Sequence, residues 1–149
     1  KDSIYDLLQK SPYYVGTKGP GDVMGCGNCV IPIFDSMTKK KVESVLYCID
    51  SNDYQPDKLY GVYDWIHFDQ IAWYRKQSAH FASCNNGRPL PSLAFFHIPL
   101  LEYNELIGDG KTFGNDREGG VASSKVNSGI FASFLDRKDV MGGIRRSRP

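Results

Sequence analysis

No stretch of this 149-residue chain holds the roughly 20 consecutive apolar residues that a membrane span needs, and KDSIYDLLQK at its start alternates charged and apolar side chains instead of forming a signal peptide. The natural start is therefore expected upstream, and no membrane partner is expected. A surplus of charge is also missing. Eighteen Lys and Arg stand against 17 Asp and Glu, a net charge of +1 that gives no field to gather nucleic acid. Four cysteines, Cys26, Cys29, Cys48 and Cys84, are too few for a disulfide scaffold in a chain this long; one or two bridges and the compartment stay open. Repeats and low-complexity tracts are absent. The length fits one domain with a real core, and the 13% aromatic content, with Trp65 near Trp73, suits a packed interior with an aromatic-lined cleft.

What is present reads as alternating elements. In SIYDLLQKSP the residues Ile4, Leu7 and Leu8 share a helical face, with Ser3 to cap it and Pro12 to end it. Glycines recur with Pro20 from Gly16 to Gly27 and make that stretch a loop. NCVIPIF and ESVLYCID then predict an antiparallel hairpin across DSMTKKK. SNDYQPDKLYGVYDW is a loop leading into a long helix from about Asp64 or His67 to Ala82, with Ile71, Tyr74, Ser78 and Phe81 on one side. SLAFF, short and wholly apolar, has the form of a strand buried on both faces. A long polar, glycine-rich segment runs from Glu102 to about Ser124, followed by a helix from near Ser128 and a strand from Val140. Strand, helix, strand, helix and strand in succession predict an α/β architecture with a parallel component.

Histidine is scarce as well, with three residues in all, and His97 closes the apolar run SLAFF. A solitary histidine is more often structural than catalytic. Position pulls the other way, because ligands gather at the carboxyl ends of strands in open α/β sheets, and Pro99 would stiffen the loop entry. His67 and His80 do not share a face of the long helix for joint ligation. Cys26-Gly27-Asn28-Cys29 has the spacing of half a zinc ribbon or a redox pair, yet no second such pair supplies the other ligands; a buried small side chain is the better reading. Asp50, Asp53, Asp57 and Asp64 lack the order of a calcium loop and read as solvated loop residues and helix caps. Lys39, Lys40 and Lys41 read as a solvated turn.

Three stretches, GVYDWIHFDQIAWY at 61–74, PSLAFFHIPLLEY at 91–103 and VNSGIF at 126–131, together resemble the calcineurin-like metallophosphoesterases, in particular their purple-acid-phosphatase-like branch. The resemblance covers residues 1–142, and FFHIPL is its most specific part. It implies part of a four-layer α/β/β/α sandwich and hydrolysis of small phosphate esters by water activated between two metal ions, iron, manganese or zinc. It makes His97 a metal ligand, and Glu102, Tyr103 and Asn127 lining of the substrate pocket, because they flank the family's site elements. The family's other ligands come from an Asp-x-His, an Asp, a Gly-Asn-His-Asp and a Gly-His-x-His, and this sequence contains none of the three multi-residue motifs. The segment like KDSIYDLLQK follows Gly-Asn-His-Asp closely in the family, so the sequence is expected to start just downstream of that motif. One ligand does not hold a two-metal centre, so this chain alone is expected to be inactive, and a fragment of such a sandwich would associate through exposed sheet surfaces. A binding module that kept the fold but lost the metals is the alternative.

The tail, residues 143–149, departs from the family pattern. Where relatives continue with a peptide like V-F-V-G-H-D-H, this chain reads GIRRSRP. Codons for that peptide with one extra leading G regroup as GGT ATT CGT CGG TCA CGA CCA, which encodes Gly143 to Pro149 in full. Arg145, Arg146 and Arg148 are accordingly expected to be a frameshifted reading of a metal-binding segment, not a basic patch. Sequencing the encoding DNA across Met141 to Pro149 is expected to show codons that regroup into Gly-His-x-His; codons that cannot be so regrouped rule the frameshift out.

Overall fold

The computed structural model of the chain describes residues 2–106, 110–111 and 120–145. Much of the long polar segment expected after Glu102 lies outside the described residues, as does the tail from 146 onward. A first helix, α1 (Asp2–Leu8), contains Ser3 inside it, so that residue is not its cap. Its expected apolar face, Ile4, Leu7 and Leu8, is exposed, and the helix is tied down by the Tyr5 hydroxyl, which donates to the Cys26 carbonyl at 3.2 Å.

The predicted hairpin forms from β1 (Cys29–Phe34) and β2 (Val42–Cys48), paired antiparallel. One carboxylate builds its turn. Asp35 accepts from the backbone N–H groups of Met37, Thr38, Lys40 and Lys41 and from the Thr38 hydroxyl. The hydroxyl bond first, and then the backbone donors, hold its carboxyl well below the usual carboxylate range. The lysines are turn residues as expected, and Lys41 pairs with Glu43 at 2.9 Å.

β2 runs parallel to β3 (Ser92–Phe96), and β3 parallel to β4 (Val140–Arg145), for a strand order β1-β2-β3-β4. Val45 of β2 and Ile49, just past its end, direct their N–H groups to the β3 side, donating to the carbonyls of Pro91 and Phe95. Pro32, opposite Val45, therefore sits where β1 has no ladder bond to lose, on an edge strand that tolerates proline. Parallel neighbours need crossovers, and α2 (Phe68–Cys84) and α3 (Ile130–Arg137) provide them. α2 begins after His67, within the expected range, and runs two residues beyond Ala82. Gly87, at φ 76, then returns its N–H to the Ala82 carbonyl and ends the helix in the left-handed manner glycine permits.

Right-handed crossovers that step in one direction put both helices on one face of the sheet. The contacts agree. Tyr74 of α2 meets Tyr47 of β2 and Phe134 of α3 edge-on, both at 5.0 Å, and Arg137 donates to the Ser78 hydroxyl at 2.9 Å. Alternation along the strands sends Val45, Tyr47, Ala94 and Phe96 into this layer, where they pack with Ile71, Trp73, Tyr74, Ile130 and Phe134. Of the expected helix face, Ile71, Tyr74 and Ser78 are buried and Phe81 packs at the margin.

SLAFF departs from expectation. Ser92, Ala94 and Phe96 are buried, but Leu93 and Phe95 are only half-covered. The reason is the placement of α2 and α3: Ile31, Leu46 and Leu93 in one row and Cys29, Cys48 and Phe95 in the next lie on the sheet face turned away from those two helices. Among the described residues the fold is a mixed α/β structure with one four-stranded sheet and with α2 and α3 packed on one side.

Asp139, at the start of β4's approach, is 2% exposed and accepts from the Tyr47 hydroxyl at 3.1 Å and from the Tyr74 hydroxyl. Burial first, and then the neighbouring carboxylate, push both tyrosines above their ordinary value of 10.0. Their neutral forms are thus favoured by folding, so this stability is complete below pH 10.0 and declines as pH rises above it, where the unfolded chain ionises first. Asp139→Ala, which strands two buried hydroxyls, is expected to cost about 2–5 kcal/mol in urea unfolding at neutral pH. Tyr47→Phe is expected to make the alkaline decline shallower than in the unaltered chain.

Candidate functional site

β2 and β3 end at Cys48 and Phe96, while β1, running the other way, begins beside them at Cys29. One edge of the sheet therefore collects Asn28 before β1, Asp50, Ser51 and Asn52 after β2, and His97 after β3. This is the edge at which open α/β sheets place ligands.

The edge is held by a buried amide. Gln70, in the first turn of α2 and fully buried, donates through Nε2 to Asn28 Oδ1 at 3.1 Å and to the Asp50 carbonyl at 2.6 Å. Its Oε1 accepts from Asn52 Nδ2 at 3.1 Å and from the His67 backbone N–H at 2.9 Å. Asn28 in turn accepts from the Asp50 N–H at 3.0 Å, and the Asp50 carboxylate accepts from the Cys26 N–H at 2.8 Å. Gly25 fits this arrangement because a Cβ there would lie 2.9 Å from the Cβ of Asp50. Among the acids expected to be solvated or capping, Asp57 caps a short turn at Lys58–Tyr60, whereas Asp64 is buried and contacts His67 Nε2 at 3.1 Å. The contact with His67 is a local one, three residues along the chain, whereas the burial of Asp64 is a property of the fold. Gln70 was detectable as a glutamine three residues into a helix, a capping-box position; Asn28 carried no comparable signal.

His97 is exposed at the end of β3, with its backbone pinned. Its N–H donates to the Ser51 hydroxyl oxygen at 3.1 Å, and the Ile98 N–H donates to the same atom at 2.8 Å. Ser51 is buried, so the end of β2 fixes the start of the loop while the imidazole stays on the surface. Beside it lies a narrow cleft of about 20 Å³ whose walls include Ser51, Asp64, Trp65, Ile98, Glu102 and Asn127. That is room for about one water molecule. Glu102 accepts from Asn127 Nδ2 at 2.8 Å, so two of the three expected pocket residues meet. Tyr103 is directed elsewhere. Its hydroxyl donates to the Gly143 carbonyl of β4 at 3.0 Å, and its ring faces a separate, mainly apolar cavity of about 430 Å³ lined also by Phe96, Leu106 and Phe134.

Among the described residues, no three His, Cys, Asp or Glu side chains converge as a metal site. His97 thus belongs to no such group there, nor do Cys26 and Cys29. Phe96 pairs with Arg145, the last described residue of β4; the arginines of the tail that continue from it, Arg146 and Arg148, lie outside the described residues. Gln70→Ala, which leaves the partners on Asn28, Asp50, Asn52 and His67 unmatched, is expected to lower stability by about 2–4 kcal/mol. Amide exchange at residues 50–52 and 97–98 should rise more than in the α2–α3 core.

No family model and no solved structure matches the chain. Curated proteins do. It is 35% identical to the probable inactive purple acid phosphatase 29 of Arabidopsis thaliana, across 94% of this chain and 39% of that protein. It is 32% identical to the probable inactive purple acid phosphatase 28 of the same plant, across 80% of this chain and 32% of that one. Phosphatase DCR2 of Saccharomyces cerevisiae is 33% identical across 92% of this chain and 25% of its own length. The chain therefore spans well under half of each relative. Matched along most of its length to members of one group, it belongs to the purple-acid-phosphatase-like metallophosphoesterases.

Proposed function

We propose that the chain is part of a hydrolase that cleaves small phosphate esters, with His97 as a ligand to one of two metal ions. The observation that carries the proposal is the position of His97: exposed at the carboxyl end of a parallel strand, with its backbone clamped through Ser51. Iron, zinc and manganese all suit an imidazole, and such ions, when bound, would supply Lewis acidity toward a water and a phosphate oxygen. The described donors do not fit a complete centre of this kind, since no three converge, so the reading requires ligands that the longer proteins of the family supply. Within the described residues the contributions are those of holding and shaping. Ser51 aims the His97 loop, Glu102 and Asn127 form the polar wall where a phosphate ester would rest, and Tyr103 braces that wall against β4.

The same reading gives the half-covered sheet face a role. A second sheet packed on Ile31, Leu46, Leu93 and Phe95 would make the four-layer α/β/β/α sandwich, and without it copies of the chain would associate through that face. A non-catalytic binding module is the second reading, favoured by the word "inactive" in the names of the Arabidopsis relatives; the yeast relative is named as a phosphatase.

The isolated 149-residue chain is expected to show no metal-dependent turnover of an aryl phosphate, and robust turnover would contradict the proposal. In the full-length protein, His97→Ala is expected to lower kcat/KM for the same substrate by roughly 100-fold or more and to reduce bound metal measured by elemental analysis. A full-length protein that folds, binds no metal and turns nothing over would establish the binding module instead.

A further inference from the structure

Cys29 and Cys48 occupy directly opposite positions on β1 and β2. Because Val45 and Ile49 send their N–H groups toward β3, the alternate residues of β2, Cys48 among them, face β1. The cysteines are therefore a hydrogen-bonded antiparallel pair, for which the Cα atoms stand about 5.5 Å apart, inside the span of roughly 4.4–6.8 Å that a disulfide bridges. Both side chains point to the sheet face turned away from α2 and α3, and both sulfurs are thiols. Among the described residues β1 is an edge strand, held by ladder bonds on one side.

We propose that Cys29 and Cys48 are a redox-sensitive pair that closes into a cross-strand disulfide when the protein meets a small peroxide. The two thiols are not equivalent. The hydrogen bond between the two sulfurs holds the Cys29 thiol down, to about 6, while the same contact and burial push Cys48 up. Cys29 is the attacking sulfur: its thiolate bonds to one peroxide oxygen, the O–O bond breaks, and the other oxygen leaves as water after taking a proton. The Cys48 sulfur then attacks the sulfenic acid, an S–S bond replaces the S–O bond, and a second water leaves with the Cys48 proton and the hydroxyl. Two thiols and one hydrogen peroxide become one disulfide and two waters. Cys29 is 7% exposed, so a small oxidant suits the site better than a bulky disulfide.

The bridge would do more than join two strands. Asn28 and Asp50, in the network around Gln70, lie one and two residues from the cysteines, and Ser51, which clamps His97, follows Asp50. Closing the pair therefore fixes the edge of the sheet that carries His97, and opening it releases an edge strand.

The test uses the whole reduced chain. Hydrogen peroxide is expected to lower its thiol count from four to two, reversibly with dithiothreitol, and peptide mapping should show Cys29 linked to Cys48. Tm should rise by roughly 5–10 °C on oxidation. Cys48→Ser should lose both effects, whereas Cys26→Ser and Cys84→Ser should keep them. Linkage of Cys26 to Cys29, linkage between chains only, over-oxidation without a bridge, or thiols inert in the folded chain would each overturn the proposal. Mapping is done on the unaltered sequence, so a serine variant that fails to fold does not remove the test.

Discussion

A buried carboxylate holds the layers of this protein in register. Asp139 lies between α3 and β4, and its two oxygens accept from tyrosines on β2 and α2. Its backbone carbonyl accepts from the Ser92 N–H as well, so the start of β3 is tied to the same residue. A buried charge is costly without full hydrogen bonding, and here two hydroxyls supply it. The tyrosines that donate also form the core's edge-to-face series with Phe134, so polar satisfaction and apolar packing depend on the same side chains.

Once the helices are fixed to one face, the sheet presents two unlike surfaces and one populated edge. The helical face is a closed core. The other is apolar but half-covered, and the edge at the ends of β2 and β3 is polar. A second buried group, the Gln70 amide, organises that edge much as Asp139 organises the layers. His97 thereby emerges from a rigid base, with its ring exposed and its backbone held by Ser51, a geometry suited to a ligand that must keep its aim.

The cysteine pair lies next to the Gln70 centre, at the end of β2. It faces the half-covered surface, while Asn28 and Asp50 close to it in the chain belong to the Gln70 network. Strand pairing, not the C-x-x-C spacing of Cys26 and Cys29, decides which thiols meet.

By itself the sequence determined the elements and the family. Period-two and helical spacing located the hairpin, the long helix, SLAFF, the closing helix and the strand at Val140, because those signals depend on residues within a few positions of one another. The stretches around FFHIPL carried the family in the same local way, as the relatives bear out. Tertiary structure decided the rest. Tyr47 and Asp139 are 92 positions apart, Tyr74 and Asp139 are 65, and Gln70 and Asn28 are 42, so no local pattern announces that these side chains meet. It also decided which face of SLAFF is covered, that Glu102 meets Asn127 while Tyr103 braces β4, and that Cys29 opposes Cys48, since burial and pairing are properties of how elements pack and not of the order in which they occur.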